Sequence, residues 1–306
     1  MMNSSRPPVC IACKSSSTTD AFPVSDWNFL RVNEVDTMVR CTRCRSLFPL
    51  KAISPDVLHQ AYSAYYTTKS QLAEFAKIRK KISTIIRKRY LSRGYHPRYG
   101  QKILDYGCGS GAFLDYISEL YPSSICYGTD IYKPEDADKA ENYKWLTMDE
   151  LESHNCQFDY VTLSHVLEHL DNPYDALATL RSVLTPAGVL WISTPNSNSY
   201  LISSFHGRSR DIDYPRHRHI YSAQAIAALL DKSGYKYTFM KAETYSAWLN
   251  HYSCLSNLTK RPFLKDEPHP QIFRSIINSL SLPFVLQLYG ENYSATPELI
   301  IKAVKA

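Results

Sequence analysis

From residue 99 onward, short apolar runs alternate with segments whose apolar residues recur every three or four positions. The runs predict strands and the periodic segments predict helices. Strands are predicted near 102–106, 124–129, 143–147, 159–163, 189–194, 235–242 and 298–304. Helices are predicted near 111–120, 173–184 and 223–233. Alternating strands and helices predict an α/β fold, with a seven-stranded, mainly parallel, Rossmann-like sheet covered on both faces.

The first fifty residues follow a different pattern. Cys10-x-x-Cys13 and Cys41-x-x-Cys44 are separated by 27 residues. Two such pairs suit a single tetrahedral zinc, and four thiolates leave no open coordination position, which favours a structural role. The alternative is a set of buried thiols that bind no metal. We therefore predict a small zinc-ribbon-like appendage over residues 1–53.

Residues 54–98 are predicted to form a helical, Tyr-rich and basic linker that precedes the core at 99–306. The core carries a predicted helical insertion at 243–297. The basic residues of the linker include Lys80, Lys81, Arg87 and Lys88. A solvated helix face is the simpler interpretation of this run, and attraction of an anionic acceptor or a membrane surface is the functional one.

Composition narrows the class of protein. The 306 residues are 44% hydrophobic and 21% charged, which is ordinary for a globular protein and excludes wholesale disorder. No apolar stretch approaches the length of a membrane span, and the start lacks the apolar core of a secretion signal. We therefore expect a soluble, cytoplasmic protein in which cysteines serve as metal ligands or free thiols. Aromatic and basic residues do not alternate, so nucleic acid is not an expected partner; the oligomeric state is not indicated.

The most informative segment joins the first core strand to its helix through Gly107, Gly109 and Gly111. Glycines allow a tight turn and close ligand approach, and the following helix aims unpaired N–H groups at an anionic group. The turn also satisfies the dinucleotide pattern, so by itself it leaves a nicotinamide cofactor open. Asp105 favours a cationic sulfonium cofactor, because its carboxylate attracts positive charge. Asp130 ends the next strand, where it is placed for ribose hydroxyls.

These residues resemble a known family. Asp105-x-Gly107-x-Gly109-x-Gly111 is similar to the first motif of the class I S-adenosylmethionine (SAM)-dependent methyltransferases, and Gly128-x-Asp130 is similar to their strand-two acid. The resemblance implies a methyltransferase sheet with SAM bound at its carboxyl edge. The candidate cofactor-binding residues are Asp105, Gly107, Gly109, Gly111, Asp130, Ile131, Asp149 and Ser164.

Candidate catalytic residues follow the strand predicted at 159–163. His165, Glu168 and His169 are spaced i, i+3, i+4, which places them on one face of a helix. The spacing also matches inverted zinc peptidases, an interpretation that the preceding cofactor-type sheet disfavours. Val166-Leu167-Glu168-His169 is similar to a stretch of the ubiquinone-pathway O-methyltransferases, some of which bind a divalent ion through an acid at the position of His165. Whether an ion binds here stays open, and the alternative role of Glu168 and His169 is to hold loop backbone.

A polar loop after the strand at 189–194 supplies further candidates. His217 and His219 alternate, so an extended backbone would place them on one face, together with two nearby aspartates. The segment is similar to the Arg-His-x-His loop of the same methyltransferases; solvated loop residues are the alternative. We predict that His165 or His217 is the general base and that the other orients the acceptor, with a rate that rises near the pKa of free histidine.

The resemblance extends over nearly the whole chain. The cysteine pairs, the linker, the core and the ending at Lys302 are similar to zinc-ribbon methyltransferases of sugar and surface-polysaccharide biosynthesis. The deoxysugar C-methyltransferases of that group carry a further carboxy-terminal domain, for which there is no room after Lys302, and this favours O-methylation. We therefore expect O-methylation of a sugar or glycan-type acceptor, a class that includes nucleotide- and lipid-linked forms. The alternatives are C- or N-methylation of another small molecule, a nicotinamide oxidoreductase, and a non-enzymatic zinc-ribbon interaction protein.

Overall fold

A computed structural model describes residues 9–63, 100–109, 111–131, 142–153, 157–240, 250–251, 253–255, 257 and 295–306. The basic run with Lys80, Lys81, Arg87 and Lys88 lies outside the described residues, as does most of the insertion predicted at 243–297. Among the helices that are described, none has the length and apolarity needed to cross a bilayer.

The amino-terminal segment is a three-stranded antiparallel sheet followed by one helix. Its elements are β1 (Thr18–Val24), β2 (Asp36–Cys41), β3 (Leu47–Pro49) and α1 (Pro55–Tyr62). Cys10 and Cys13 precede β1, whereas Cys41 is the last residue of β2 and Cys44 lies in the turn to β3. The hydroxyl of Ser54 accepts a hydrogen bond from the Val57 N–H, which caps the start of α1.

The rest of the described chain alternates strands and helices, as predicted. The strands are β4 (Lys102–Tyr106), β5 (Ile125–Thr129), β6 (Lys144–Trp145), β7 (Phe158–Ser164), β8 (Leu184–Pro195), β9 (Tyr235–Met240) and β10 (Glu298–Lys305). The helices are α2 (Ala112–Leu120), α3 (Met148–Ser153), α4 (Pro173–Val183), α5 (Tyr200–Phe205) and α6 (Ala223–Lys232). Two 3₁₀ turns span Leu167–His169 and His206–Arg208.

Seven strands form one sheet in the order β6-β5-β4-β7-β8-β10-β9. The pairs from β6 to β8 are parallel, and β10 is antiparallel to both β8 and β9. The predicted seven-stranded, mainly parallel sheet is confirmed. Because β4, β5, β7 and β8 run in the same direction, the segments that follow them meet at one edge of the sheet.

The amino-terminal segment shares its hydrophobic core with this sheet. The four paired cysteines and Phe48 belong to the same buried cluster as Leu104, Leu163 and Ile192 of the central strands. Leu47 and Ile220 also exchange two backbone hydrogen bonds, with N–O distances of 2.9 and 2.8 Å. The cysteine segment is therefore packed against the loop after β8 and does not stand apart from the sheet.

Candidate functional site

The glycine turn has the backbone that its sequence predicts. Gly107, Gly109 and Gly111 have φ angles of 79°, 52° and 74°, in the left-handed region that favours glycine. A Cβ on Gly107 would lie 2.3 Å from the Val166 side chain, whereas one on Gly109 would meet nothing within 4 Å. The turn is therefore packed on one side and open on the other, beside the start of α2.

Two acids flank this turn. Asp105 is buried, and the hydroxyl of Thr162 donates a 2.6 Å hydrogen bond to its carboxylate. Burial raises the pKa of Asp105 to about 7. Asp130 accepts a 2.9 Å hydrogen bond from the Gly109 N–H through Oδ2. An open glycine between two carboxyl groups fits a small ligand that carries positive charge and hydroxyls.

The other predicted cofactor residues lie around the same edge. Ile131 follows Asp130 directly and is 73% exposed, which is unusual for so apolar a side chain. Asp149 lies in the first turn of α3 with an exposed side chain. Ser164 is the last residue of β7 and is half-buried. Their contact with a cofactor stays a prediction.

His165 follows β7 with a φ of 55°, a strained conformation for a residue with a side chain. Its Nδ1 lies 3.2 Å from Glu168 Oε1 and its Nε2 lies 3.1 Å from Glu298 Oε1. Partial desolvation of the ring opposes protonation, but the hydrogen bonds to these two carboxylates outweigh it and raise the pKa of His165 to about 10. With an acceptor on each nitrogen, His165 is an imidazolium at neutral pH.

Glu168 is fully buried and connects β7 to the loop after β8. Burial would raise the pKa of its carboxyl, but the hydrogen bond from His165 dominates, with nearby histidines, and the pKa falls to about 2. Its second oxygen accepts a 3.0 Å hydrogen bond from the Thr194 hydroxyl. Its main-chain carbonyl accepts the N–H groups of Arg218 and His219, at 2.8 and 3.1 Å. The side chain of Glu168 therefore binds His165 and Thr194, whereas its backbone holds the loop that follows β8.

His217 is buried and differs from His165 in its partners. Its Nδ1 lies 2.8 Å from the Asp211 carbonyl oxygen, which can only accept, so Nδ1 carries the proton. Burial, with the neighbouring His169, lowers the pKa of His217 to about 4. The Nε2 lone pair lies 3.8 Å from Glu168 Oε1 and 4.0 Å from Asp213 Oδ2, beyond hydrogen-bond distance. His217 is therefore a neutral base between two carboxylates.

His169 lies beside His217, with their rings edge to face and 4.7 Å between centroids. Its Nδ1 is 3.0 Å from the Arg216 carbonyl oxygen and 3.1 Å from the Tyr62 hydroxyl, so His169 holds loop backbone. The segment Leu167–His169 is a single 3₁₀ turn, shorter than the helix that the i, i+3, i+4 spacing predicted. Ligand atoms of Glu168, His169 and His217 lie within 4.8 Å of one another, a spacing that a divalent ion would also fit.

His219 is placed apart from these residues. Its Nε2 lies 3.6 Å from Cys10 Sγ, and its ring stacks on Phe48 at 5.0 Å with an interplanar angle of 11°. The structure thus corrects the expectation that His217 and His219 share a face, because the loop backbone is not extended here. His219 contacts the cysteine cluster and has no geometry for a catalytic base.

The four paired cysteines form a compact cluster. Sγ of Cys10 lies 3.5 Å from Sγ of Cys44, and Cys13 and Cys41 are equally close. All four sulfurs lie within 4.8 Å of one another. The edge of a tetrahedron with metal–sulfur bonds of 2.3 Å is about 3.8 Å. The hydrogen bond between Cys10 and Cys44 lowers the pKa of Cys44 and raises that of Cys10, so Cys44 is the thiolate of this pair.

The backbone around the two cysteine pairs repeats. Lys14 N donates to the Cys10 carbonyl at 2.8 Å, and Arg45 N donates to the Cys41 carbonyl at 3.0 Å. Lys14 and Arg45 both have positive φ angles, 60° and 65°. Two equivalent turns that face their sulfurs toward each other fit a metal held by four thiolates.

Sequence reasoning missed three parts of this site. Glu298 begins the last strand, and the signal for it is that a buried acid in an apolar strand needs a polar partner. Asp211 is one of two loop aspartates, and nothing in the sequence separates its role from that of Asp213. Arg216 is completely buried and pairs with Asp26 and Asp213, at 2.5 and 2.9 Å; only its i, i+3 spacing from Asp213 was visible in the sequence.

Comparisons with known proteins identify relatives that are similar to part of the chain. An uncharacterised protein of Synechococcus sp. is 31% identical over 165 residues, 48% of this chain and 40% of that protein. The ubiquinone biosynthesis O-methyltransferase of Glaesserella parasuis is 29% identical over 127 residues, 36% of this chain and 52% of that protein. That of Xanthomonas axonopodis pv. citri is 26% identical over 175 residues, 54% of this chain and 67% of that protein. The chain spans about half the length of the first curated relatives that it matches.

Among solved structures, a plantazolicin methyltransferase in complex with a triazolic analogue and S-adenosylhomocysteine is 16% identical, with a TM-score of 0.47; the match covers 81% of this chain and 93% of that one. A SAM-dependent methyltransferase from Archaeoglobus fulgidus is 23% identical, with a TM-score of 0.44, over 74% of this chain and 94% of that one. A family model described as methyltransferase domain matches residues 72–238, more than half of the chain. The chain therefore belongs to the methyltransferase domain family.

Proposed function

We propose that this protein methylates a hydroxyl group of a sugar or glycan-type acceptor, with His217 as the general base. The observation that carries the proposal is the state of His217. Its Nδ1–H is fixed by the Asp211 carbonyl, and its Nε2 lone pair has no hydrogen-bond partner in the described part of the chain. A neutral imidazole held in this way accepts a proton from a bound hydroxyl.

The cofactor would be held by the glycine turn, Asp105 and Asp130. SAM, when bound, supplies an electrophilic methyl group on a positively charged sulfur. The carboxyl groups of Asp105 and Asp130 favour a cationic ligand, and the open side of Gly109 gives it room. The turn follows β4, and the loop with His217 follows β8, so cofactor and base belong to the same edge of the sheet.

The chain's own residues then act on the acceptor. A hydroxyl next to His217 Nε2 gives up its proton as its oxygen becomes a nucleophile, and His217 becomes an imidazolium. The carboxylates of Glu168 and Asp213, at 3.8 and 4.0 Å, stabilise the positive charge that forms. Asp211 keeps the ring oriented through its carbonyl oxygen. General-base catalysis of this kind contributes about 10²–10⁴-fold to the rate.

His165 has a different role in this proposal. As an imidazolium it has no lone pair to accept a proton, so it is not the base. Its charge keeps Glu168 ionised and pairs with Glu298, and Glu168 in turn stabilises His217. The His165 side chain is 44% exposed, so it also presents a cation toward the acceptor side. We assign it to positioning and charge balance.

A phenolic hydroxyl is the second candidate acceptor. Two of the relatives above are named ubiquinone biosynthesis O-methyltransferases, and such names favour an aromatic acceptor. The sugar acceptor rests on the cysteine pairs and their resemblance to sugar methyltransferases. A sugar hydroxyl ionises less readily than a phenol, so a dedicated neutral base favours the sugar.

We also propose that Cys10, Cys13, Cys41 and Cys44 hold one structural zinc. Support comes from the compact set of four sulfurs and from the two equivalent turns. Four thiolates complete a tetrahedral coordination shell, so this metal would stabilise the fold without binding the acceptor.

The test is release of S-adenosylhomocysteine from SAM with a panel of nucleoside-diphosphate hexoses, methyl glycosides and dihydroxybenzoates. The variant His217→Asn keeps a donor for the Asp211 carbonyl but has no basic nitrogen. It should lower kcat by about 10²–10⁴-fold and leave the affinity for S-adenosylhomocysteine nearly unchanged. His59→Asn, at an exposed position of α1, is the matched control and should keep full activity.

Three outcomes would contradict this proposal. Full turnover in His217→Asn would remove the base. Methylation of the dihydroxybenzoates alone would replace the sugar with a phenol. A strict requirement for added Mg²⁺ or Mn²⁺ would favour an ion among Glu168, His169 and His217 in place of a proton transfer.

A further inference from the structure

Asp211 has a buried carboxyl oxygen without a partner. The residue is 6% exposed, and Oδ1 accepts a 3.2 Å hydrogen bond from the Asn250 side chain. Oδ2 has no hydrogen-bond partner in the described part of the chain, although almost no surface of this atom reaches solvent. Buried carboxyl oxygens are nearly always satisfied, so this atom requires an explanation.

The position of Asp211 suggests what satisfies it. Its main-chain carbonyl is the group that orients His217, so the two residues are adjacent within one loop. Its carboxyl lies within electrostatic reach of four charged groups, namely Arg210, His165, Glu298 and Glu168. Three of these, His165, Glu298 and Glu168, form the ion-paired cluster beside the proposed base. The carboxyl of Asp211 therefore lies near the charged cluster that flanks the proposed base.

Structural explanations account poorly for this carboxyl. Arg210 lies next to Asp211 in sequence, but its guanidinium is 3.8 Å from Asp213 and donates no hydrogen bond to Asp211. The nearby thiol of Cys254 accepts a hydrogen bond from the Arg210 N–H, with an N–S distance of 3.1 Å. It donates no hydrogen bond to Oδ2 of Asp211. Burial raises the pKa of Asp211 to about 7, which shows that the surroundings stabilise its charge only weakly. A fold that needed only a buried filler at this position would not require a carboxyl group.

We propose that Asp211 is a specificity-determining residue that accepts a hydrogen bond from a second hydroxyl of the acceptor, next to the hydroxyl that His217 deprotonates. The preferred acceptor is then a sugar with a free 1,2-diol, of which one hydroxyl is methylated and the other is bound. This inference rests on the proposed function, because it needs His217 to receive one of the two hydroxyls.

The test compares acceptors that differ by one hydroxyl. UDP-glucose and methyl α-glucoside are each compared with their monodeoxy derivatives, in the full-length protein with SAM. A site built to bind a hydroxyl rejects an analogue that lacks it, so wild type should prefer the diol by about 10²-fold or more in kcat/KM. Asp211→Asn keeps the shape but presents an amide, and it should reduce this preference to within about 10-fold. The loss should fall on the KM for the diol, with S-adenosylhomocysteine binding unchanged.

A second measurement does not depend on the acceptor. Asp36 is also buried, at 4% exposed, but it accepts hydrogen bonds from the N–H groups of Thr37 and Lys51, at 2.7 and 3.1 Å. Asp36→Asn is therefore the matched control and should lower the melting temperature without changing the diol preference. Asp211→Asn should keep or raise the melting temperature, because it removes an unsatisfied buried carboxyl that serves binding.

The outcomes separate the two proposals. If wild type methylates none of these sugars, the proposed function fails and this inference fails with it. If wild type methylates a diol but Asp211→Asn keeps the full preference over the deoxy derivative, the proposed function stands and the role of Asp211 is overturned. A large fall in the melting temperature of Asp211→Asn would also overturn it, in favour of a structural carboxyl.

Discussion

Two histidines of one site are held in opposite charge states by their hydrogen-bond partners. His165 has a carboxylate on each ring nitrogen and is charged, whereas His217 has a carbonyl on Nδ1 and an open Nε2 and is neutral. The carboxylate of Glu168 serves both, because it accepts from His165 and lies 3.8 Å from His217. This division assigns the proton transfer to His217 and the fixed charge to His165.

The pH dependence of kcat, at saturating SAM and acceptor, tests this division, because the carboxyls of Asp105 and Asp211, with pKa values of about 7, act in binding and affect KM. The pKa of His217 is lowered to about 4 and that of His165 is raised to about 10. The rate should rise with pH through the first value, because His217 must be neutral, and fall through the second, because His165 must be charged. Initial rates of wild type should therefore be nearly flat from about pH 5 to about pH 9.

The control for this profile is His217→Asn, whose residual rate should not rise with pH through the pKa of His217. A wild-type acid limb near the pKa of free histidine, retained in that variant, would assign the base to another residue. The sequence alone predicted a limb at that ordinary value, since burial of the loop was not visible in it.

The sequence predicted contacts between side chains only for residues that are close along the chain. The i, i+3 spacing brought His165 and Glu168 together as expected. The contact between His165 and Glu298 spans 133 residues, and it depends on β10 entering the sheet beside β8. No local pattern carries that information, so the charge state of His165 could not be predicted.

The turn between β4 and α2 is the element whose proposed role, cofactor binding, follows most directly from its sequence. Gly109 and Gly100 are a natural pair of positions for testing it. Both have positive φ angles, 52° and 73°, and a Cβ at either would meet nothing within 4 Å. Only Gly109 lies in the proposed cofactor turn, so any difference between the two reflects a bound ligand and not the fold.

Gly109→Ala and Gly100→Ala should each lower the free energy of unfolding by about 1–2 kcal/mol, because alanine is strained in the left-handed region. Only Gly109→Ala should weaken S-adenosylhomocysteine, by at least about tenfold in Kd measured by calorimetry, since the added Cβ occupies space that the ligand needs. Equal affinities in the two variants would show that the cofactor does not approach this glycine.

The strands and helices of the sheet were predictable because each has its own apolar period and clear ends. The loop after β8 was not, because its conformation depends on partners elsewhere in the chain. Leu47 pairs with Ile220, and Asp26 binds the buried Arg216. These contacts turn His219 toward Cys10, although strict alternation along the sequence placed it with His217.

For the molecule as a whole, the cysteine segment and the catalytic loop form one structural unit. They share a backbone bridge at Leu47 and Ile220, the contact of His219 with Cys10, and a hydrogen bond from Ser222 to the Cys44 carbonyl. The hydroxyl of Tyr174 also donates to the Ala12 carbonyl at 2.6 Å, which ties the segment to α4. The proposed zinc would therefore act on catalysis at a distance, by fixing the loop that carries His217.

Replacing one zinc ligand should loosen the loop that carries His217 and leave cofactor binding intact. Elemental analysis should find about one zinc per chain in wild type and none in Cys41→Ser, since three thiolates leave the tetrahedron incomplete. Hydrogen exchange should then increase at residues 9–49 and 211–221, and kcat should fall. Binding of S-adenosylhomocysteine should persist, because the glycine turn follows β4, two strands away from β8.

Cys126→Ser, at a buried cysteine of β5, is the control; it should retain the metal and keep the loop protected from exchange. If Cys41→Ser retained wild-type kcat and exchange, the cysteine segment would have no part in holding the base.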